Sequence, residues 1–160
     1  MPPRSLSASL VALVLGLGVG LPTVKAANRA SKVSLGDVVV QLESTTAGGG
    51  EAELTRTLRV ALSEELATLA ASGDTGKRPL VVSATLTKLS TERRAERARA
   101  SASISLVLRR ADDQVLFAEL RGRASAEETS ESVASVQQAA LRGAVRGAVA
   151  RVPEAVQRAR

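Results

Sequence analysis

The chain has no cysteine, no histidine, no tyrosine and no tryptophan, and its single phenylalanine is Phe117. Without thiols there is no disulfide framework and no lipid-bearing cysteine at a processing site. Without imidazole or thiolate, the commonest proton shuttle, a frequent nucleophile and the usual zinc ligands are missing. Serines are plentiful, but none of them has an evident base beside it. Scarce aromatics also argue against nucleic acid, because single strands are held by bases stacking on such rings. No cofactor is indicated. Asp112-Asp113 are adjacent residues between two strand-like segments and fit turn chemistry rather than a metal pair. The SGDTGK segment (Ser72–Lys77) lacks the glycine–lysine spacing of a phosphate loop.

A long apolar run is missing too. Residues 1–26, MPPRSLSASLVALVLGLGVGLPTVKA, carry Arg4, an apolar stretch from Leu10 to Leu21, a break at Pro22 and then Val24-Lys25-Ala26. This is the layout of a secretory signal peptide with cleavage after Ala26. The apolar stretch is roughly 12 residues, whereas about 20 are needed to span a bilayer. The expectation is export to the periplasm or beyond, with no transmembrane span after processing.

Arginine is abundant. The chain holds 22 basic and 16 acidic residues, and 18 of the basic ones are Arg. The excess is concentrated in residues 91–123 and 142–160, with an acidic patch at Glu127, Glu128 and Glu131 between them. The segment TERRAERARASASISLVLRR (Thr91–Arg110) raises a choice between an anion grip and a solvated charged rim. Because ERRAERAR falls between two alternating segments, it is expected to form a long hairpin tip.

Periodicity is clear elsewhere. In LVVSATLTKLS (Leu80–Ser90), Leu80, Val82, Ala84 and Leu86 share one face, with Ser83, Thr85 and Thr87 opposite. Ala98–Arg110 and Gln114–Ala126 alternate in the same way, and Val38–Val40–Leu42 supplies a fourth, shorter pattern. Alternation of this length predicts strands with one covered and one wet face. Glu51–Ser72 and Ser130–Val152 switch to helical spacing, the first closed by Gly73 and the second by Pro153. A Gly143-x-x-x-Gly147 pattern in the second helix resembles a membrane contact motif. Arg142 and Arg146 exclude a span there, and small residues would let the helix lie close on a sheet.

The predicted fold is α+β, a two-layer sandwich of order β-α-β-β-β-α, with a four-stranded sheet and two helices on one face. The predicted organisation is a signal peptide over 1–26, a short linker over 27–32, one domain over 33–152 and a basic tail over 153–160. A three-residue turn at Ala111-Asp112-Asp113 would set Leu108 against Leu116, Leu106 against Ala118 and Ile104 against Leu120. That register places Val107 opposite Phe117 on the wet face with Val115 nearby. These three form a candidate partner-binding patch, since exposed apolar clusters mark contact sites. The alternative is that another segment of the chain covers Phe117. Arg93, Arg94, Arg97, Arg99, Arg121 and Arg123 are the candidate contacts for an anionic surface.

A leader followed by this element order, with the segments RPLVVSATLTKLS, SISLVLRRADDQVLFAELRGRAS and QQAALRGAVRGAV, resembles small bacterial envelope proteins of the LptE, LpoB and TolB amino-terminal-domain type. Two of those are lipoproteins, and this chain departs from them in lacking the cysteine. The resemblance implies a non-enzymatic periplasmic or cell-envelope module that binds or assembles another envelope protein. Two other readings stay open: arginine-mediated binding to anionic lipid or polysaccharide, and a secreted hydrolase with an unrecognised site.

Overall fold

The computed structural model describes residues 33–42, 50–73, 78–94, 96–129 and 132–159. The leader with its Ala26 cleavage position, the 27–32 linker, Asp74–Lys77 and Glu131 lie outside the described residues. In chain order the elements are β1 (Val33–Val40), α1 (Glu51–Ser72), β2 (Leu80–Arg94), β3 (Arg97–Arg110), β4 (Leu116–Glu128), α2 (Val133–Val149) and α3 (Val152–Arg158). The sheet has the order β1-β2-β3-β4, with β1 parallel to β2 and the other pairs antiparallel. The predicted class and element order hold, with one short helix added.

The core follows from the alternation. Leu80, Val82, Ala84 and Leu86 on β2 and Ala98 through Leu108 on β3 are buried on one sheet face. Leu54, Leu58, Leu62, Leu66 and Leu69 of α1 and Val136, Leu141, Val145 and Val149 of α2 close over that face. Each large aliphatic side chain so covered contributes about 1.5–3 kcal/mol. Helix α1 ends where Gly73 takes φ 77°, a left-handed stop that a side chain disfavours. Ser132 caps α2 by accepting from the Ser135 amide at 3.4 Å. Arg146 Nε reaches Glu65 at 3.1 Å between the two helices.

Under α2 the sheet is lined by Ala98, Ala100, Ala102, Gly122 and Ala124, and the facing helix residues are Ala140, Ala144 and Ala148. The helix therefore sits close against the sheet. A side chain built at Gly122 would run into the Ala144 carbonyl, and one at Gly143 would come to 2.9 Å of the Ala124 Cβ.

Three sequence expectations change. The ERRAERAR segment is not a long tip: β2 runs to Arg94 and β3 starts at Arg97, and those two residues pair with each other. The expected tail is partly helix. Pro153 sits in the first turn of α3, where its missing amide is tolerated, and Val152 is fully buried with Ala155 and Val156 packed on the core.

The third change is the register of β3 on β4, which is displaced by two residues. Leu108 faces Ala118, Leu106 faces Leu120 and Ile104 faces Gly122. The turn is the cause. Gln114 takes a left-handed φ of 56°, and its amide donates to the Arg110 carbonyl at 3.0 Å, so the reversal consumes more residues than three. The Asp112 carboxylate accepts from the Asp113 amide and the Asp113 carboxylate from the Val115 amide, both at 3.0 Å. Asp113 also pairs with Arg110 at 3.0 Å. Both carboxylates are engaged in shaping the turn.

Candidate functional site

Both long helices pack on one side of the sheet, and among the described residues no helix or strand covers its other face. The alternation sorts small polar residues onto it: Ser83, Thr85 and Ser90 from β2, Ser101, Ser103 and Ser105 from β3, and Ser125 from β4. Ser101 and Ser125 share a hydrogen bond of 2.9 Å, and Thr87 donates to the Ser103 carbonyl at 3.1 Å. Short side chains leave two shallow hollows of ≈ 250 and ≈ 470 Å³, which share Ser103 and Arg123. A third cleft, ≈ 400 Å³, lies at the other layer between the first turns of α1 and α2.

Glu119 is the best-organised charge on the open face. Ser105 donates to its carboxylate at 2.9 Å and Arg121 Nε at 3.3 Å. The Ser105 bond, followed by the Arg121 bond and charge, holds the Glu119 carboxyl below its ordinary range. A depressed carboxyl favours the folded state above its unfolded pKa, and that contribution disappears as pH falls through the folded value.

Five of the six predicted arginines share the open face. Arg94, Arg97, Arg99, Arg121 and Arg123 lie on the open-face register, whereas Arg93 pairs with Ala98 on the opposite parity. Three of them already have carboxylates: Arg94 with Glu92 at 3.9 Å, Arg97 with Glu127 at 3.4 Å and Arg121 with Glu119 at 3.3 Å. Exposed pairs of this kind are worth little to stability, but they neutralise much of the rim's field.

The structure does not bring Val107, Val115 and Phe117 together as expected. Val107 faces Glu119. Val115 lies before the strand and is 44% exposed. Phe117 is the extra residue of a bulge, because Leu108 pairs with Ala118 while Arg109 pairs with Leu116. It is half-buried and packs against the core cluster. The same bulge puts Leu116, expected inside, on the surface at 54% exposure. Sequence reasoning missed that one end of the open face carries Val81 and Leu116 on either side of Arg109 on one rung, with Val107 on the next open-face rung. Val39 of β1, 41% exposed, adds a further apolar surface. The alternation Val38-Val39-Val40 already carried the signal for Val39; nothing local signalled Leu116.

Phe117→Ser should therefore lower the unfolding midpoint, by roughly 1–3 kcal/mol for a half-covered ring. Thermal melting checks this, and an unchanged midpoint would return Phe117 to the surface.

No family model matches the chain, and no curated protein matches it. Among solved structures it is similar to a Xanthomonas campestris protein of the DUF330 family, at 14% identity and a TM-score of 0.55. That match covers 79% of this chain and 85% of the other. A candidate lipoprotein from Caulobacter crescentus matches at 17% identity and a TM-score of 0.44, over 81% and 91% of the two chains. A lipoprotein of Neisseria meningitidis matches at 16% and 0.38, over 74% and 97%. The first of these shows a shared fold. Among the described residues no helix is long and apolar enough to cross a membrane.

Proposed function

We propose that this protein is an exported, non-enzymatic binding or assembly module of the bacterial cell envelope, working by protein contact through the open face of its sheet. The observation that carries this reading is the one-sided cover: among the described residues β2, β3 and β4 turn a hydroxyl-rich face toward solvent, with Val81, Val107 and Leu116 around Arg109 at one end. Exposed apolar residues rimmed by polar ones are typical of contact surfaces. The leader-like residues 1–26 supply the address, and the lack of imidazole and thiol supports a role without chemistry. Paired arginines favour a protein over an anionic lipid or polysaccharide as the partner, since half of the rim's charge is already satisfied at home.

A photo-crosslinking residue placed at Ser103 or Val107 in living cells tests the reading against the same probe at Ser63 on the outer side of α1. The expected result is a protein adduct from the sheet positions alone, on a chain whose amino terminus is Ala27. Equal labelling from Ser63, or a chain that keeps residue 1 inside the cell, would overturn it. A contact with anionic lipid instead would appear as vesicle binding that weakens steeply with salt.

A further inference from the structure

Lys88 stands on the open face only because β2 bulges. Strict alternation from Leu80 would turn it inward, but Thr87 is an extra residue between the Leu86–Ile104 and Lys88–Ser103 pairs. The bulge delivers Lys88 to the rung that β4 completes with Arg123, so two cations flank Ser103 from either side. Bulges re-aim side chains in this way and recur beside functional sites. The backbones of Lys88 and Arg123 lie two strand spacings apart, about 10 Å, and both side chains are long enough to close over a group resting on Ser103.

Most other cations of this face are already engaged. Arg94, Arg97 and Arg121 have carboxylates within 3.9 Å, and Arg99 stands between Glu92 and Glu127 on its rung. Arg109 stands between Val81 and Leu116. Among the described residues Lys88 and Arg123 have no ion pair, and the Ser103 hydroxyl has no hydrogen-bond partner. No acid stands on their rung or on either neighbouring one: Thr85, Ser105 and Arg121 form one neighbour, Ser90, Ser101 and Ser125 the other. Both shallow hollows of the face meet here, since Ser103 and Arg123 line each of them. Carboxylates return two rungs out, Glu119 in one direction and Glu92 and Glu127 in the other.

We infer that the rung Lys88–Ser103–Arg123 seats a carboxylate from an acidic segment of the partner protein, an inference that rests on the protein-contact reading above. The Ser103 hydroxyl donates to that carboxylate while the ammonium and guanidinium pair with it from both sides. Charge-assisted bonds of this kind are roughly twice as strong as neutral ones. The pattern of charge selects a compact acidic cluster over a continuous anionic surface. A plane of lipid headgroups laid on this face would press phosphates against Glu92, Glu119 and Glu127, about 13 Å along the strands from the central rung. Like charges so juxtaposed suppress the wrong partner. A short acidic segment meets the free cations and ends before those carboxylates.

Amide NMR of the protein purified from its cells, titrated with a peptide of alternating Glu and Ala, tests the seat. Shifts should centre on Ser101, Ser103 and Ser125, weaken as salt rises and vanish with the matching Gln–Ala peptide. Lys88→Gln with Arg123→Gln should weaken binding of the Glu peptide about tenfold or more. Arg97→Gln, whose arginine already serves Glu127, should change it less than about twofold. All three side chains are exposed, so the fold tolerates these changes, and an unchanged melting midpoint verifies it. No shifts with the Glu peptide, equal shifts with the Gln peptide, or an equal loss from Arg97→Gln would overturn the proposal. So would phosphatidylglycerol vesicles that bind through Lys88 and Arg123. In cells, a photo-adduct formed from position 107 should be lost in the Lys88→Gln, Arg123→Gln chain. An adduct that survives there would overturn the acidic seat and leave the protein contact standing. No adduct from the sheet positions in the otherwise native chain would remove the protein contact itself, and this seat with it.

Discussion

Leu106→Asp should abolish folding. Leu106 is 0% exposed and lies on the central rung of the sheet, between Ala84 of β2 and Leu120 of β4. Its neighbours on the core face are aliphatic: Val82, Leu86, Ile104 and Leu108. A carboxylate there has no donor to satisfy it and must be either desolvated or protonated, at a cost of several kcal/mol beyond the lost packing. A domain of this size is stable by only about 5–15 kcal/mol. The matched control is Ser103→Asp, three residues along β3 and on the opposite face. Lys88 and Arg123 flank Ser103 across the two neighbouring strands, so the new charge is solvated and attracted. It should change stability by no more than about 0.5 kcal/mol. Circular dichroism with urea titration distinguishes the two. Comparable damage from both would mean that the sheet faces are assigned the wrong way round.

Gly122→Val should be nearly as harmful, through geometry rather than charge. The Cβ of any residue there collides with the Ala144 carbonyl and comes to 2.9 Å of the Ala148 Cβ. Neither obstacle is the loose end of a side chain, so α2 must lift from β4 or the strand must bend away. Overpacking of a tight core costs about 1–3 kcal/mol and more where backbone is the obstacle. Valine adds two methyl groups to that conflict, and a loss above about 3 kcal/mol is expected. Gly147→Ala gives the opposite sign. Its position is exposed with open space around it, and removing a glycine from a helix interior should stabilise by roughly 0.5–1 kcal/mol. Thermal melts of the two variants should move in opposite directions. A tolerated Gly122→Val would show that α2 does not sit where the alanine-lined groove places it.

The two variants also mark how far the candidate site could be read in advance. Ser103 and Arg123 were legible as open-face residues, because alternation on both sides of them is unbroken. Phe117 and Leu116 were not. Their exposure depends on a bulge whose position is set by the Asp112-Asp113-Gln114 turn and by the partner strand, neither of which leaves a mark in the local pattern. Thr87 shows the same effect on β2. It is the extra residue between the Leu86–Ile104 and Lys88–Ser103 pairs, so Leu89 points inward although strict alternation from Leu80 would turn it out.

What the sequence determined by itself was local and periodic. Period-two runs marked β2, β3 and β4, the leucine spacing of Glu51–Ser72 marked α1, and Gly73 marked its end, because each depends on residues within a turn or two of one another. Parity was fixed as well, since a strand cannot exchange its faces without burying serines. Tertiary structure decided everything that parity leaves free. A slip of two residues keeps every face intact, so pattern alone could not tell Leu106 opposite Ala118 from Leu106 opposite Leu120. It also decided that β1 lies parallel beside β2, a pairing that joins residues some 46 positions apart and is fixed by how α1 crosses over the sheet. And it decided that Gly122, rather than Gly147, is the glycine on which the helix depends, because only the distance between α2 and β4 distinguishes a forced contact from an empty one.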